Sequence, residues 1–255
     1  MGVLKELKIK DLVTLFGTSC GIFSLVLSID GRYLYIAGSF IYFAMIFDLL
    51  DGLVAKKMNQ TNELGKQLDS LSDVICFGAA PALLAYQAYT GSGAFPPFVL
   101  AIFCTLYVTG AILRLAWFNI NTEKGYEGVT TPVTASILLS LFFIDTFYVY
   151  FSDAGPLLGR IMKYIIPICM IILPYLNVTH FISYGESIRT RKNKQLVVFL
   201  ILIMGFGLVA SILVFFNHTI VGPYIYGLSV AILVMLVFYI GIGVYNFLKK
   251  KRIKK

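Results

Sequence analysis

Residues 34–55 read LYIAGSFIYFAMIFDLLDGLVA, an apolar stretch in which Asp48 and Asp51 are the only charged residues. A helix of about 20 apolar residues is long enough to cross the hydrocarbon core of a bilayer. Asp48 and Asp51 are three residues apart near the end of this stretch, so they share one helix face. The stretch therefore predicts a membrane helix that carries a pair of acids at one end.

Seven further apolar stretches surround this one, and together they predict the fold. Charged residues make up 13% of the chain and hydrophobic residues 58%, whereas a soluble domain carries about 25% charged residues. The eight stretches lie at residues 12–29, 34–55, 69–90, 97–118, 132–151, 158–181, 196–216 and 221–247. We therefore expect an all-α polytopic membrane protein of about eight transmembrane helices, folded as a single transmembrane domain over residues 1–255.

The Lys and Arg residues predict the orientation of these helices. With the N-terminus in the cytoplasm, most of them fall in cytoplasmic loops or tails, as the positive-inside rule requires. We therefore expect both termini, and the Asp48 end of its helix, at the cytoplasmic face of a cell membrane. The net charge of +8 follows from this asymmetry, so we expect no nucleic-acid partner. Residues 1–10 mix apolar and basic positions without a cleavage site, which predicts a short interfacial helix rather than a removable signal peptide.

A second pair of acids, Asp69 and Asp73, lies four residues apart at the start of the next apolar stretch. The loop 58–67 joins the two stretches, so we expect all four carboxylates at the same depth. Helix capping does not explain Asp48 and Asp51, because the helix dipole disfavours negative charge at a C-terminal end. Acids in apolar surroundings need a cationic partner, and hard oxygen ligands favour Mg²⁺, Mn²⁺ or Ca²⁺. The four acids therefore predict a divalent cation site.

Three residues near the acids each leave two interpretations open. Gly52 and Gly65 indicate either the close approach of a bulky ligand to the backbone or tight helix packing. Arg114 either extends to the membrane interface or binds a carboxylate or phosphate group.

A cation channel or transporter is an alternative function, since intramembrane acids also mark ion pathways. The clustering of the acids at one end disfavours that alternative.

The spacing of the acids and glycines resembles the signature of the CDP-alcohol phosphotransferase family, D-x2-D-G-x2-A-R and, after eight residues, G-x3-D-x3-D. Residues 48–56 and 65–73 match seven of its eight fixed positions, and Lys56 stands where the family has arginine. Residues 70–82 and 111–119 also resemble motifs of one branch of the family, the phosphatidylserine synthases.

The resemblance covers residues 10–185, which we take as the motif core. It implies CDP-diacylglycerol as donor, L-serine as acceptor, and phosphatidylserine and CMP as products. Glycerol 3-phosphate and inositol phosphate are the alternative acceptors. It also implies a homodimer in the lipid bilayer.

The resemblance further implies the roles of individual residues. Two metal ions, Mg²⁺ or Mn²⁺ with Ca²⁺ as a further candidate, would be bound by Asp48, Asp51, Asp69 and Asp73. Asp73 would also be the catalytic base that deprotonates the serine hydroxyl. The residues implied for CDP-diacylglycerol binding are Thr14, Gly52, Lys56, Asn62 and Gly65. Those predicted to bind serine or a phosphate are Arg114 and Asn119.

Overall fold

The computed structural model describes residues 2–58, 63–121, 126–151, 157–185 and 194–253. Within these ranges the chain is almost entirely helical, which confirms the all-α prediction. The helices are α1 (Val3–Glu6), α2 (Ile9–Asp30), α3 (Leu34–Met58), α4 (Glu63–Asp73), α5 (Ala80–Tyr89), α6 (Pro97–Ile120), α7 (Thr131–Phe151), α8 (Leu157–Val178), α9 (Lys194–Leu213) and α10 (His218–Ile253). A π-helical segment, Val74–Ala79, joins α4 to α5. Two short strands, β1 (Tyr126–Glu127) and β2 (Ser183–Gly185), pair antiparallel.

Seven helical units among the described residues are long and apolar enough to cross a membrane. They are α2, α3, the continuous unit Glu63–Tyr89, α6, α7, α8 and α10. The chain is therefore an integral membrane protein. Helix α9 covers the remaining predicted stretch, 196–216, but is not one of these seven. The count of eight spans and the cytoplasmic location of the termini stay predictions, as does an interfacial position for α1.

Helix α2 has well-defined ends that fix the residues flanking the first span. At its start the backbone N–H of Lys8 donates to Oδ2 of Asp11 over 2.8 Å, which satisfies a donor that the helix leaves unpaired. At its end Gly31 adopts φ +75°, and its N–H donates to the Leu27 carbonyl. Glycine adopts this left-handed conformation without the steric penalty of a side chain. The chain can therefore reverse direction within three residues and enter α3.

The third predicted stretch differs from the expectation in two ways. Its helix begins at Glu63 rather than near residue 69, so Asp69 lies in the second turn and not at the helix start. The helix then widens to π geometry directly after Asp73, and the N–H of Ala80 donates to the carbonyl of Ile75, five residues back. Pro81 follows at once, and a proline ring clashes with the carbonyl four residues earlier in a regular α-helix. The wider turn accommodates that ring.

Helix α7 lies at the centre of the bundle, and α2 lies at its periphery. In the most apolar part of each helix, 72% of the residues of α7 are buried against 28% of those of α2. Phe142, Phe143 and Phe147 of α7 are among the buried core residues. Small residues let the peripheral helix approach closely, since a Cβ added at Gly17 would lie 3.0 Å from Cβ of Phe47 in α3. This packing holds the start of α2 beside the acidic end of α3.

Candidate active site

The last turns of α3 present the first pair of acids beside an open stretch of backbone. Asp48 and Asp51 lie on one helix face, as their spacing predicts. Asp51 is buried and Asp48 is partly buried. Gly52 follows directly, and nothing lies within 4 Å of a Cβ added there. Tight helix packing, one of the two interpretations of this glycine, is therefore not observed. The backbone at Gly52 is open to the approach of another molecule.

Helix α4 brings a third acid to the first two. Asp48, Asp51 and Asp69 can each offer one carboxylate oxygen so that these oxygens all lie within 4.8 Å of one another. We refer to these three residues as the acidic triad. Ligand oxygens on opposite sides of a Mg²⁺ or Ca²⁺ ion lie about 4–5 Å apart, twice the metal–oxygen distance. The acidic triad therefore has the charge, the ligand type and the spacing that a divalent cation requires.

Asp73 lies outside this triad but belongs to the same electrostatic cluster. Its carboxylate experiences the charges of Asp48, Asp69 and Asp51, and it is attracted to Arg114 of α6. It is also the last residue of α4, directly before the π segment. A π-helical turn redirects the residues that follow it and often occurs at functional sites. Among the four acids, Asp73 is thus the one on which the charge of Arg114 acts.

Two residues at the start of α2 act on the acidic triad, Thr14 by a hydrogen bond and Lys10 through its charge. The Thr14 hydroxyl donates to Oδ2 of Asp51 over 2.6 Å, and both residues are buried. Lys10 lies one turn earlier, and its charge acts on Asp51 and Asp69. Its ammonium group also pairs with the neighbouring Asp11 over 2.8 Å. Sequence reasoning selected Thr14 but missed Lys10, although the four-residue spacing from Thr14 places both on one helix face.

Arg114 and Asn119, both predicted to bind serine or a phosphate, have different surroundings. Arg114 is buried, so it does not extend to the membrane interface, and its charge acts on Asp73. The side-chain amide of Asn119 donates to Oγ of Ser70 over 2.9 Å, and its backbone carbonyl accepts from Nζ of Lys66. Asn119 therefore ties the end of α6 to α4, whereas Arg114 lies at the acids.

The other predicted ligand-binding residues lie on either side of the acids in the chain. Lys56 is exposed one turn beyond Gly52, and Gly65 is buried in the first turn of α4. Asn62 lies outside the described residues. Thr18 and Ser72 form a further contact between helices, with 2.8 Å between their hydroxyl oxygens, and thereby hold α2 against α4.

Comparison with known proteins identifies the family of this chain. The model of the CDP-alcohol phosphatidyltransferase family matches residues 7–175, more than half of the chain. The archaetidylserine synthase of Methanothermobacter thermautotrophicus is 39% identical over 148 residues, which are 56% of this chain and 61% of that protein. The CDP-diacylglycerol–serine O-phosphatidyltransferase of Methanocaldococcus jannaschii is 34% identical over 160 residues, 63% of this chain and 73% of that protein.

A bacterial relative extends this comparison. The CDP-diacylglycerol–serine O-phosphatidyltransferase of Bacillus subtilis is 34% identical over 137 residues, 52% of this chain and 73% of that protein. The part of the chain that the family model matches, residues 7–175, contains both pairs of acids, Gly52 and Arg114. This chain belongs to the CDP-alcohol phosphatidyltransferase family.

Proposed function

We propose that this protein transfers the phosphatidyl group of CDP-diacylglycerol to the hydroxyl of L-serine, giving phosphatidylserine and CMP. The observation that carries the proposal is the acidic triad, whose oxygens lie within 4.8 Å of one another beside the open backbone of Gly52. The names of the relatives support the acceptor, because each of the three names a serine product or substrate. L-serine is therefore preferred over glycerol 3-phosphate and inositol phosphate.

Members of this family generally use divalent cations. We propose that Asp48, Asp51, Asp69 and Asp73 hold two such ions, Mg²⁺ or Mn²⁺, with Ca²⁺ as a further candidate. When bound, such ions neutralise the charge of a pyrophosphate and stabilise the oxygens that enter and leave at phosphorus. The acidic triad supplies three of the four carboxylates, and the hydrogen bond from Thr14 fixes the orientation of Asp51.

Asp73 is proposed as the general base because its position differs from that of the triad. The serine hydroxyl oxygen attacks the lipid-bearing phosphorus, the bond between this phosphorus and the CMP oxygen breaks, and Asp73 accepts the hydroxyl proton. Arg114 is buried, and its charge acts on Asp73. A guanidinium group in this position can pair with the serine carboxylate and hold the hydroxyl near the base.

The nucleotide is proposed to bind where the backbone is open. Gly52 allows the diphosphate to approach α3 closely, and the exposed Lys56 can contact it with its ammonium group. Gly65 and Asn62 are proposed to complete this site from the α4 side. Thr14 is proposed to act through Asp51, since its hydroxyl already donates to that carboxylate.

The membrane setting gives the lipid donor direct access to the site. We propose that the acids lie at the cytoplasmic face, with both termini on the same side, so that CMP leaves into the cytoplasm. We also propose that the protein is a homodimer. The acyl chains of the donor would stay in the bilayer, while the diphosphate reaches the acids at the helix ends.

Turnover by the purified full-length chain in detergent tests this proposal. The assay combines CDP-diacylglycerol, Mg²⁺ or Mn²⁺ and radiolabelled L-serine, and follows both the lipid product and CMP. We expect serine-dependent CMP release that EDTA abolishes and that added Mn²⁺ restores. Turnover with glycerol 3-phosphate or an inositol phosphate, and none with serine, would replace the acceptor. A parallel arm with the corresponding CDP-activated archaetidyl donor tests the lipid part, because one relative is named for archaetidylserine.

A further inference from the structure

A pocket that contains one acid lies at the end of the bundle opposite the acidic triad. Tyr35 at the start of α3 lines it, and Asp48 is thirteen residues further along the same helix. This separation corresponds to about 20 Å along a helix axis. The pocket has a volume of about 300 Å³, within the range of small-ligand sites. We call it the Asp145 pocket; its main lining residues are Arg32, Tyr35, Ala88, Tyr89, Phe142 and Asp145.

Asp145 is the unusual residue of this pocket. It lies in α7, the central membrane helix, and is partly buried. The Tyr89 hydroxyl donates to its Oδ2 over 2.6 Å. Within the part of the chain that the structure describes, its carboxylate forms no ion pair. An acid in a membrane helix is costly without a cationic partner, and such residues usually mark a functional site. The hydrogen bond engages Oδ2 of Asp145, and Oδ1 lies on the side of α8, 3.6 Å from a Cβ added at Gly159.

The side chains that line the pocket indicate which kind of cation it would bind. Three aromatic side chains line it beside the acid: Tyr35, Tyr89 and Phe142. Aromatic faces attract organic cations such as ammonium groups. A metal ion would instead require several oxygen ligands, and Asp145 is the one carboxylate among the described residues that line the pocket. The combination of one acid with several rings therefore favours an ammonium group over a metal ion.

The pocket also has a positively charged lining residue, Arg32. Its side chain is 75% exposed in a surface pair with Asp30. An exposed ion pair of this kind contributes little to stability, so the guanidinium group can exchange its partner. An acid inside and a guanidinium outside match a zwitterion whose ammonium group enters first and whose phosphate stays at the rim.

We propose that the Asp145 pocket binds a primary ammonium group of the kind found in aminophospholipid headgroups or free amines. The ammonium group pairs with Asp145 and lies against the rings of Tyr35 and Phe142. Arg32 contacts the phosphate when the ligand is a lipid. This site is separate from the proposed serine transfer at the other end of the bundle, and its test does not depend on turnover.

Binding to the purified full-length chain, measured by calorimetry in detergent, tests the proposal. The compounds are dihexanoyl phosphatidylethanolamine, dihexanoyl phosphatidylglycerol, which lacks the ammonium group, and free ethanolamine. We expect phosphatidylethanolamine to bind at least about tenfold more tightly than phosphatidylglycerol, since a charge-assisted contact distinguishes them. Binding of free ethanolamine with equal affinity assigns the site to amines in solution. Binding of the lipid alone assigns it to headgroups.

Two variants connect the binding to this pocket. Asp145→Asn removes the charge and is expected to abolish the preference for phosphatidylethanolamine. Ala88→Leu fills the pocket without changing the acid and is expected to weaken binding of both ammonium compounds; it replaces Asp145→Asn if that variant fails to fold. Gel filtration and thermal unfolding establish that each variant is folded. The proposal would be overturned by equal affinity of the wild-type protein for the two lipids, by an unchanged preference in folded Asp145→Asn, or by unchanged binding of the ammonium compounds in folded Ala88→Leu.

Discussion

The two ends of α2 each carry an ion pair of the same length in opposite surroundings. Lys10 and Asp11 at the start are 2.8 Å apart, with side chains 11% and 0% exposed. Arg32 and Asp30 at the end are also 2.8 Å apart, with side chains 75% and 35% exposed. Solvent screens the second pair, whereas the first lies in a setting where an unmatched charge is strongly destabilising. Two ion pairs with the same N–O distance are therefore expected to contribute differently to stability.

This difference extends to the two ends of the bundle. At the start of α2, the buried Lys10 acts on Asp51 and Asp69, so its charge also partly offsets the repulsion among the acids. At the other end, Asp145 relies on a neutral tyrosine hydroxyl and aromatic walls. Several acids with buried basic neighbours favour cation-dependent chemistry, while one acid among rings favours binding of an organic cation. The following experiments test this contrast.

The largest effect is expected for the proposed base. Asp73→Asn removes the proton acceptor and is expected to lower serine-dependent CMP release by about 10²- to 10⁴-fold, the usual contribution of a general base. The matched control is Asp30→Asn. It removes an acid at the end of α2 that lies away from the acidic triad, and it should retain wild-type turnover. Turnover of folded Asp73→Asn at the wild-type rate would exclude Asp73 as the base.

Removing the basic partner from each ion pair separates their contributions to stability. Lys10→Met removes the cation that pairs with the buried Asp11, and we expect the free energy of unfolding to fall by about 3 kcal/mol. Arg32→Met changes an exposed pair and is expected to leave the unfolding transition unchanged. Denaturant titration in detergent, followed by circular dichroism, measures both variants. Equal stability of the two variants would contradict the contrast drawn from burial.

The hydrogen bond from Thr14 to Asp51 is expected to have an intermediate effect. Thr14→Val removes the donor while keeping the shape of the side chain, and residues that orient a metal ligand typically change metal affinity by about 10- to 100-fold. Mn²⁺ binding followed by electron paramagnetic resonance measures this change without relying on turnover. Thr14→Ser keeps the hydroxyl and should bind Mn²⁺ like the wild-type protein. Unchanged Mn²⁺ affinity in Thr14→Val would remove Thr14 from the site.

The smallest effect is expected at Lys56, which stands where the family signature has arginine. Lys56→Arg offers a planar pair of donors to a phosphate, so we expect KM for CDP-diacylglycerol to fall about twofold to fivefold with little change in kcat. Lys57→Arg makes the same exchange at the next exposed position and serves as the control. A similar fall in KM for both variants would indicate a general effect of charge geometry rather than a contact at Lys56.

Much of the fold and half of the site follow from local patterns in the sequence. Hydropathy predicts the helices because a membrane helix must be apolar along its whole length. Their observed bounds follow the predicted stretches apart from the early start at Glu63 and the extension of α10 to Ile253. The three- and four-residue spacings predict two acid pairs, because residues so spaced share a helix face. These spacings also carry the resemblance to the family, which the family model supports over residues 7–175.

The tertiary structure alone decided which distant residues meet the acids and which do not. The charge of Lys10 acts on the triad and that of Arg114 on Asp73, while Asn119 donates a hydrogen bond to Ser70, although the arginine and the asparagine lie on the same helix. The contact of Tyr89 with Asp145 likewise joins two helices that are distant in the chain. Spacing within one helix is set by the helix repeat, whereas contacts between helices depend on packing, rotation and local distortions such as the π segment. The sequence therefore determined the spans and the acid pairs, and packing decided the partners of the acids and the second pocket.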